Sequence, residues 1–157
     1  IRLLLLSTHY RAPVNFADEV VESGSNELTK MENTFRQLAV YLQLHGGSLS
    51  QGTAVFIQPF LEALADDLNT SNALAEVFKT LKEVNQYLRG REKDVAQGEN
   101  YFKSLVDMFN ILGLVFNYPT LDNEDRKLYE AYQEAKSQKN FALSDQLRLR
   151  LIEKNIL

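Results

Sequence analysis

The feature that most constrains this chain is a spacing. Leu28, Met31, Phe35, Leu38 and Leu42 follow one another at alternating steps of three and four. Leu74, Val77, Leu81, Val84 and Leu88 repeat the same steps, and Phe102, Leu105, Phe109 and Leu112 do so again. Such steps place every apolar side chain on one stripe of a helix, the seam by which helices of a bundle pack. Only 3 prolines and 7 glycines occur in 157 residues, so the helical stretches run on with few breaks. The fold class expected is all-α, an antiparallel helical bundle.

The breaks that do occur set the boundaries. An opening apolar run, Leu3 to Leu6, reads as a short helix ending near Thr8. It is apolar all round, so it is expected to bury a second face against something further. Arg11-Ala12-Pro13 then forces extended backbone. A second helix is expected from Asp18 to His45, capped by Asn15 or Asp18 and stopped by Gly46-Gly47. A third covers Thr53 to Ala65. The fourth starts with Asn69 or Thr70 as its cap and ends at Gly90, and the fifth ends at Gly113. Residues 114–120 connect to a helical pair, Asn123 to Ser137 and Phe141 to Lys154. The short Gln138-Lys139-Asn140 link makes the pair antiparallel.

Composition removes several kinds of chemistry. There is no cysteine, so no disulfide framework, thiolate metal site or cysteine nucleophile exists in this sequence. The opening run is too short to span a bilayer and lacks a signal peptide's flanks. A cytoplasmic location is expected. The formal net charge of −4 argues against broad, non-specific binding of nucleic acid, but leaves room for a local basic face.

Each candidate site has a functional and a structural reading. Asp66-Asp67 offers oxygens for magnesium, but neighbours on a helix diverge by about 100°. Their position before Asn69 and Thr70 is better read as a capped junction between helices. His9 and His45 are distant in sequence, and no nucleophile with an orienting partner accompanies either. Both read as helix-end residues. Arg11, fixed between Tyr10 and Ala12-Pro13, suits either a bundle carboxylate or a phosphate, and both readings stand. Basic residues gather modestly at Arg89, Arg91 and Lys93, at Arg126-Lys127, at Lys136 and Lys139, and at Arg148, Arg150 and Lys154. Tyr87, Tyr101, Tyr129 and Tyr132 have faces suited to unpaired bases, though helical spacing favours core positions. No glycine-rich phosphate loop, metal-ligand set or catalytic constellation is visible.

Ordered stretches of the chain resemble one family. In IRLLLLSTHYRAPVNFADE, His9-Tyr10-Arg11-Ala12-Pro13 followed by Asn15-Phe16 is similar to the His-Tyr-Arg-Ser-Pro segment by which cysteinyl-tRNA synthetases enter their helical bundle. Asp66-Asp67-Leu68-Asn69-Thr70 resembles the family's acidic run before Asn-Thr-Pro, with Ala65 and Ser71 departing from it. Ser144-Asp145, Arg148 and Leu151 resemble its Ala-Asp-x-x-Arg-x-x-Leu helix.

The resemblance implies a DALR-type anticodon-binding bundle of an enzyme that attaches cysteine to its tRNA with ATP. By that implication residues 1–16 end a connecting helix from a catalytic domain, 17–118 form the bundle, and 119–157 form a helical pair stopping before the anticodon-reading tail. The family's His-Ile-Gly-His and Lys-Met-Ser-Lys-Ser signatures and its zinc-binding cysteines are absent here. ATP and zinc are thus implied for the intact enzyme, with no cofactor, metal or catalysis expected in this stretch. The implied partners are tRNA(Cys) and the catalytic domain, in a monomer. Arg11, Arg89, Arg91 and Arg148 are the candidate tRNA contacts. His9, Tyr10, Asp66, Asp67, Asn69, Thr70 and Asp145 are the structural motif residues. Two other readings remain: the bundle of a ligase coupling cysteine to a sugar amine, and a purely structural spacer.

Overall fold

The computed structural model describes every residue from Ile1 to Leu157 except Asn15, so the expected cap at Asn15 lies outside the described residues. Among the described residues there are seven helices and no strand: α1 Arg2–Ser7, α2 Asp18–Leu44, α3 Gln58–Ala65, α4 Thr70–Arg89, α5 Val95–Leu112, α6 Asn123–Ser137 and α7 Phe141–Glu153. The all-α bundle is what the seams require.

The seams meet in one core. Met31, Phe35, Leu38 and Leu42 of α2 are buried against Leu74, Val77, Leu81 and Val84 of α4 and Phe102, Leu105, Phe109 and Leu112 of α5. Phe35 sits at its centre, stacked on Phe102 at 4.9 Å and edge-on to Phe109 at 5.3 Å. Such ring pairs add about 0.5–1.5 kcal/mol each beyond the area they bury. Leu28, the first residue of the α2 seam, departs from expectation and stays exposed. The opening turns of α2 run past this core, and Val21 is exposed with it. In α1, Leu3 enters the core while Ile1 and Leu5 face outward.

Helix ends follow backbone chemistry, with two corrections. Asp18 is not the cap of α2. The N-cap is Ala17, without a side-chain cap, and Asp18 and Glu19 occupy the first turn, where acidic groups favour the positive helix end. At the other end Gly46, at φ 77°, lets the Gly47 N–H donate to Leu42 O at 2.8 Å.

The third helix starts at Gln58 rather than Thr53. The intervening loop is held by α5 side chains instead of by helical bonds. Ser48 N–H donates to Glu99 Oε1 at 2.6 Å, Thr53 N–H to Asn100 Oδ1 at 2.8 Å, and Phe56 N–H to Ser104 Oγ at 3.2 Å. Gly52 permits this approach, since a Cβ there would lie 2.0 Å from Glu99 O.

The terminal pair has its own small core. Leu121, Tyr132, Leu151 and Ile156 pack with Val40 of α2. Lys154, past the end of α7, meets Asp125, in the first turn of α6, at 2.5 Å, so the two helices are antiparallel. Gln43 of α2 ties the pair to the bundle. Its amide donates to Pro119 O at 2.9 Å and accepts from Leu121 N–H at 2.9 Å, while Arg126 donates to Gln43 O.

Candidate functional site

The first two motifs, separated by more than fifty residues of sequence, meet at one corner. The chain leaves α1 at Thr8. His9 and Tyr10 then stack at 4.7 Å, and the Arg11 guanidinium lies over the Tyr10 ring at 5.1 Å. Arg11 N–H donates to His9 Nδ1 at 3.3 Å. Facing them is the junction between α3 and α4. Tyr10 OH donates to Asp67 Oδ1 at 3.2 Å, and Arg11 Nη1 stands 3.7 Å from Asp67 Oδ2. Of the two readings open for Arg11, the bundle carboxylate is the contact the structure contains.

The junction is built to present that carboxylate. Asp66 caps the C-terminus of α3, and Asp67 and Leu68 both take φ 53°. Consecutive left-handed residues reverse the chain within a few atoms, and aspartate tolerates that conformation better than most residues. Asn69 then caps α4, accepting from Asn72 N–H at 3.1 Å, and Thr70 is the first helical residue. The ion pair itself is solvent-exposed, so it adds little stability, about 0–1 kcal/mol. Its effect is to fix the direction in which Tyr10-Arg11 leaves α1.

The third motif lies apart. Leu151 of α7 is fully buried in the terminal core and Ser144 is buried beside it, whereas Asp145 and Arg148 face solvent. Arg91 is exposed just beyond α4. Arg89, the last residue of α4, borders a groove between α2 and α4. The structure therefore brings His9, Tyr10, Arg11, Asp66, Asp67, Asn69 and Thr70 together, and leaves Arg89, Arg91, Asp145 and Arg148 on other faces.

The tyrosines divide by burial. Tyr101 is buried under Phe56, stacked at 4.2 Å, and Tyr132 is buried in the terminal core. Burial, followed by the repulsion of the Tyr41 hydroxyl, holds the Tyr87 phenol well above its ordinary pKa, and burial with nearby Glu83 does the same for Tyr101. These rings are core members, not stacking platforms.

Among the described residues no group of three or more His, Cys, Asp or Glu side chains is placed to hold a metal ion. No helix among the described residues is long and apolar enough to cross a membrane.

Known proteins share parts of this arrangement. Residues 59–117 match the DALR domain. Over its whole length the chain is 35% identical to cysteine–tRNA ligase of Bacillus cytotoxicus, and equally to the cysteine–tRNA ligases of Bacillus cereus strain B4264 and Bacillus anthracis strain A0248. It spans 35% of the length of those relatives. No solved structure matches it significantly. The DALR match covers α3, α4, α5 and the start of the connector, while the Tyr10-Arg11 corner and the terminal pair fall in the wider likeness.

Two features of this bundle are not visible in the sequence alone. Gln43 interrupts no pattern, and only its burial at 8% exposure betrays its role. Lys30 and Lys82 each follow or precede a seam residue, Met31 or Leu81, which places them at the seam's edge. That they face one groove depends on how α2 lies on α4.

Proposed function

We propose that this chain is the tRNA-binding helical domain of a cysteine–tRNA ligase, contacting the anticodon arm and stem while the rest of the enzyme carries out the chemistry. The observation that carries this reading is the full-length likeness to proteins named cysteine–tRNA ligase, with the DALR match centred on the helices that form the main core. Residues 1–16 are proposed as the end of a connecting helix, 17–118 as the bundle and 119–157 as an appended pair. The gathering of Leu121, Tyr132, Leu151 and Ile156 into a separate small core supports that last division.

In this reading the chain is a passive arm. The intact enzyme attaches cysteine to tRNA(Cys) with ATP, and ATP and zinc are held by its other parts, in a monomer working in the cytoplasm. The corner of Tyr10, Arg11 and Asp67 sets the angle at which the connecting segment enters the bundle. Arg11, Arg89, Arg91 and Arg148 remain the nominated tRNA contacts. Arg148 and Arg91 are supported by their exposure, and Arg11 only in so far as one face of its guanidinium stays free of Asp67. Relatives named for tRNA disfavour a ligase acting on a sugar amine.

The test is an electrophoretic mobility shift of a tRNA(Cys) transcript by the 157-residue chain at two salt concentrations. Binding that weakens steeply with salt is the expected result, because phosphate contacts release counterions. Binding no tighter than that of an unrelated, equally acidic bundle contradicts the reading.

A further inference from the structure

A groove of about 650 Å³ runs between α2 and α4, away from the Tyr10–Asp67 corner. Its floor is apolar and closed, made by Met31 and Leu81, both buried, with Phe78 beside them. Along the floor Asn85 Nδ2 donates to Thr34 Oγ1 at 3.1 Å, which fixes the two helices at that level. The walls carry amides with both donor and acceptor atoms, Asn33, Gln37 and Gln86.

The charges are one-sided. Lys30 from α2 and Lys82 and Arg89 from α4 border the groove, against the single carboxylate of Glu27. Elsewhere four of the 17 Lys and Arg side chains pair with carboxylates among the described residues: Arg11 with Asp67, Lys79 with Glu76, Lys103 with Asp107 and Lys154 with Asp125. Lys30, Lys82 and Arg89 pair with no carboxylate among the described residues. Lys82 and Arg89 are seven residues apart, two turns along one helix face, about 10 Å. A protein with net charge −4 therefore keeps a positive strip over a hydrogen-bonding trough.

We propose that this α2–α4 groove seats a stretch of RNA backbone, with Lys30, Lys82 and Arg89 on phosphates and the amides of Asn33, Gln37 and Gln86 on riboses. A ribose 2′-hydroxyl both donates and accepts, which is what side-chain amides complement. This deepens the tRNA-binding reading above and rests on it. Arg89 was nominated from sequence alone; Lys30 and Lys82 are assigned by the groove.

The experiment uses the 157-residue chain, a tRNA(Cys) transcript and fluorescence anisotropy across a salt series. One variant combines Lys30→Gln, Lys82→Gln and Arg89→Gln. A control neutralises Lys127, Lys139 and Arg150, which border no part of the groove. All are exposed, and circular dichroism checks that each variant keeps its helices. The groove variant is expected to lose roughly tenfold or more in affinity and to flatten the slope of log K against log salt by about two to three, one per phosphate contact, with the control nearly unchanged. A groove variant that binds like the parent while the control weakens overturns the groove and leaves tRNA binding intact. A parent that does not bind tRNA overturns both. An acidic peptide competing as well as RNA at equal charge also overturns the assignment to RNA.

Discussion

The hydroxyl of Tyr10 donates to Asp67 at 3.2 Å, closing a contact between the turn that follows α1 and the reversal between α3 and α4. Arg11 joins it on the second carboxylate oxygen. The corner is strong in direction rather than energy, since both charged side chains are largely exposed. Asp67→Asn keeps a residue that tolerates the left-handed conformation, so its stability cost is under about 1 kcal/mol. Asp67→Val places a branched Cβ at φ 53° and costs about 1–2 kcal/mol more. Urea denaturation of the two variants separates backbone from charge. In both, amide exchange across residues 9–12 is expected to quicken.

Gln43 is the bond between the bundle and the terminal pair. Gln43→Leu keeps volume but leaves the buried Leu121 N–H and Pro119 O unmet, at a cost of about 1–3 kcal/mol. The account expects Leu121 to lose protection in hydrogen exchange, and α6 and α7 to melt before α2, α4 and α5. Uniform loss of protection throughout the chain would show that the two cores unfold as one.

Glycine substitutions report the close approach of the loop to α5. Gly52→Ala must push the loop off Glu99, which breaks the bonds from Ser48, Thr53 and Phe56 and costs about 1–3 kcal/mol. Gly24→Ala is the contrast. Nothing lies within 4 Å of a Cβ there, the residue is helical, and stability is expected to rise by about 0.5–1 kcal/mol. Thermal melting of the two variants gives the sign directly.

The terminal pair carries a pH dependence of known sign. The Lys154 ammonium holds the Asp125 carboxyl below its ordinary range, and Asp125 in turn raises the Lys154 amine. For the aspartate the stabilisation is present above its unfolded pKa, about 4, and is lost as pH falls through the lower folded value. For the lysine it is present below about 10.4 and is lost as pH rises through the higher folded value. The pair is therefore most secure between these limits. Asp125→Asn is expected to remove the acid-side loss, read as the midpoint of α6–α7 unfolding against pH.

Much of the fold was legible because the seams of α2, α4 and α5 are local patterns. The cap at Asn69 is local too. What was not legible depended on distance. The start of α3 moved to Gln58 because residues 48–56 give their N–H groups to α5, an element fifty residues away. Leu28 satisfied the spacing but lies on turns of α2 that overhang the core. That Arg11 lies beside a carboxylate was not legible either, because Asp67 reaches it only through the left-handed turn at Asp67 and Leu68. The positive strip escaped because Lys30 and Lys82 belong to different helices, and a single sequence does not state which helix faces lie together.

The central claim is that these helices hold the anticodon side of a tRNA. Nuclease footprinting of a tRNA(Cys) transcript with the 157-residue chain tests it most directly. The account predicts protection along the anticodon arm and stem, with the acceptor end cut as in free tRNA. Protection confined to the acceptor end, or none at concentrations that saturate the intact enzyme, would contradict it.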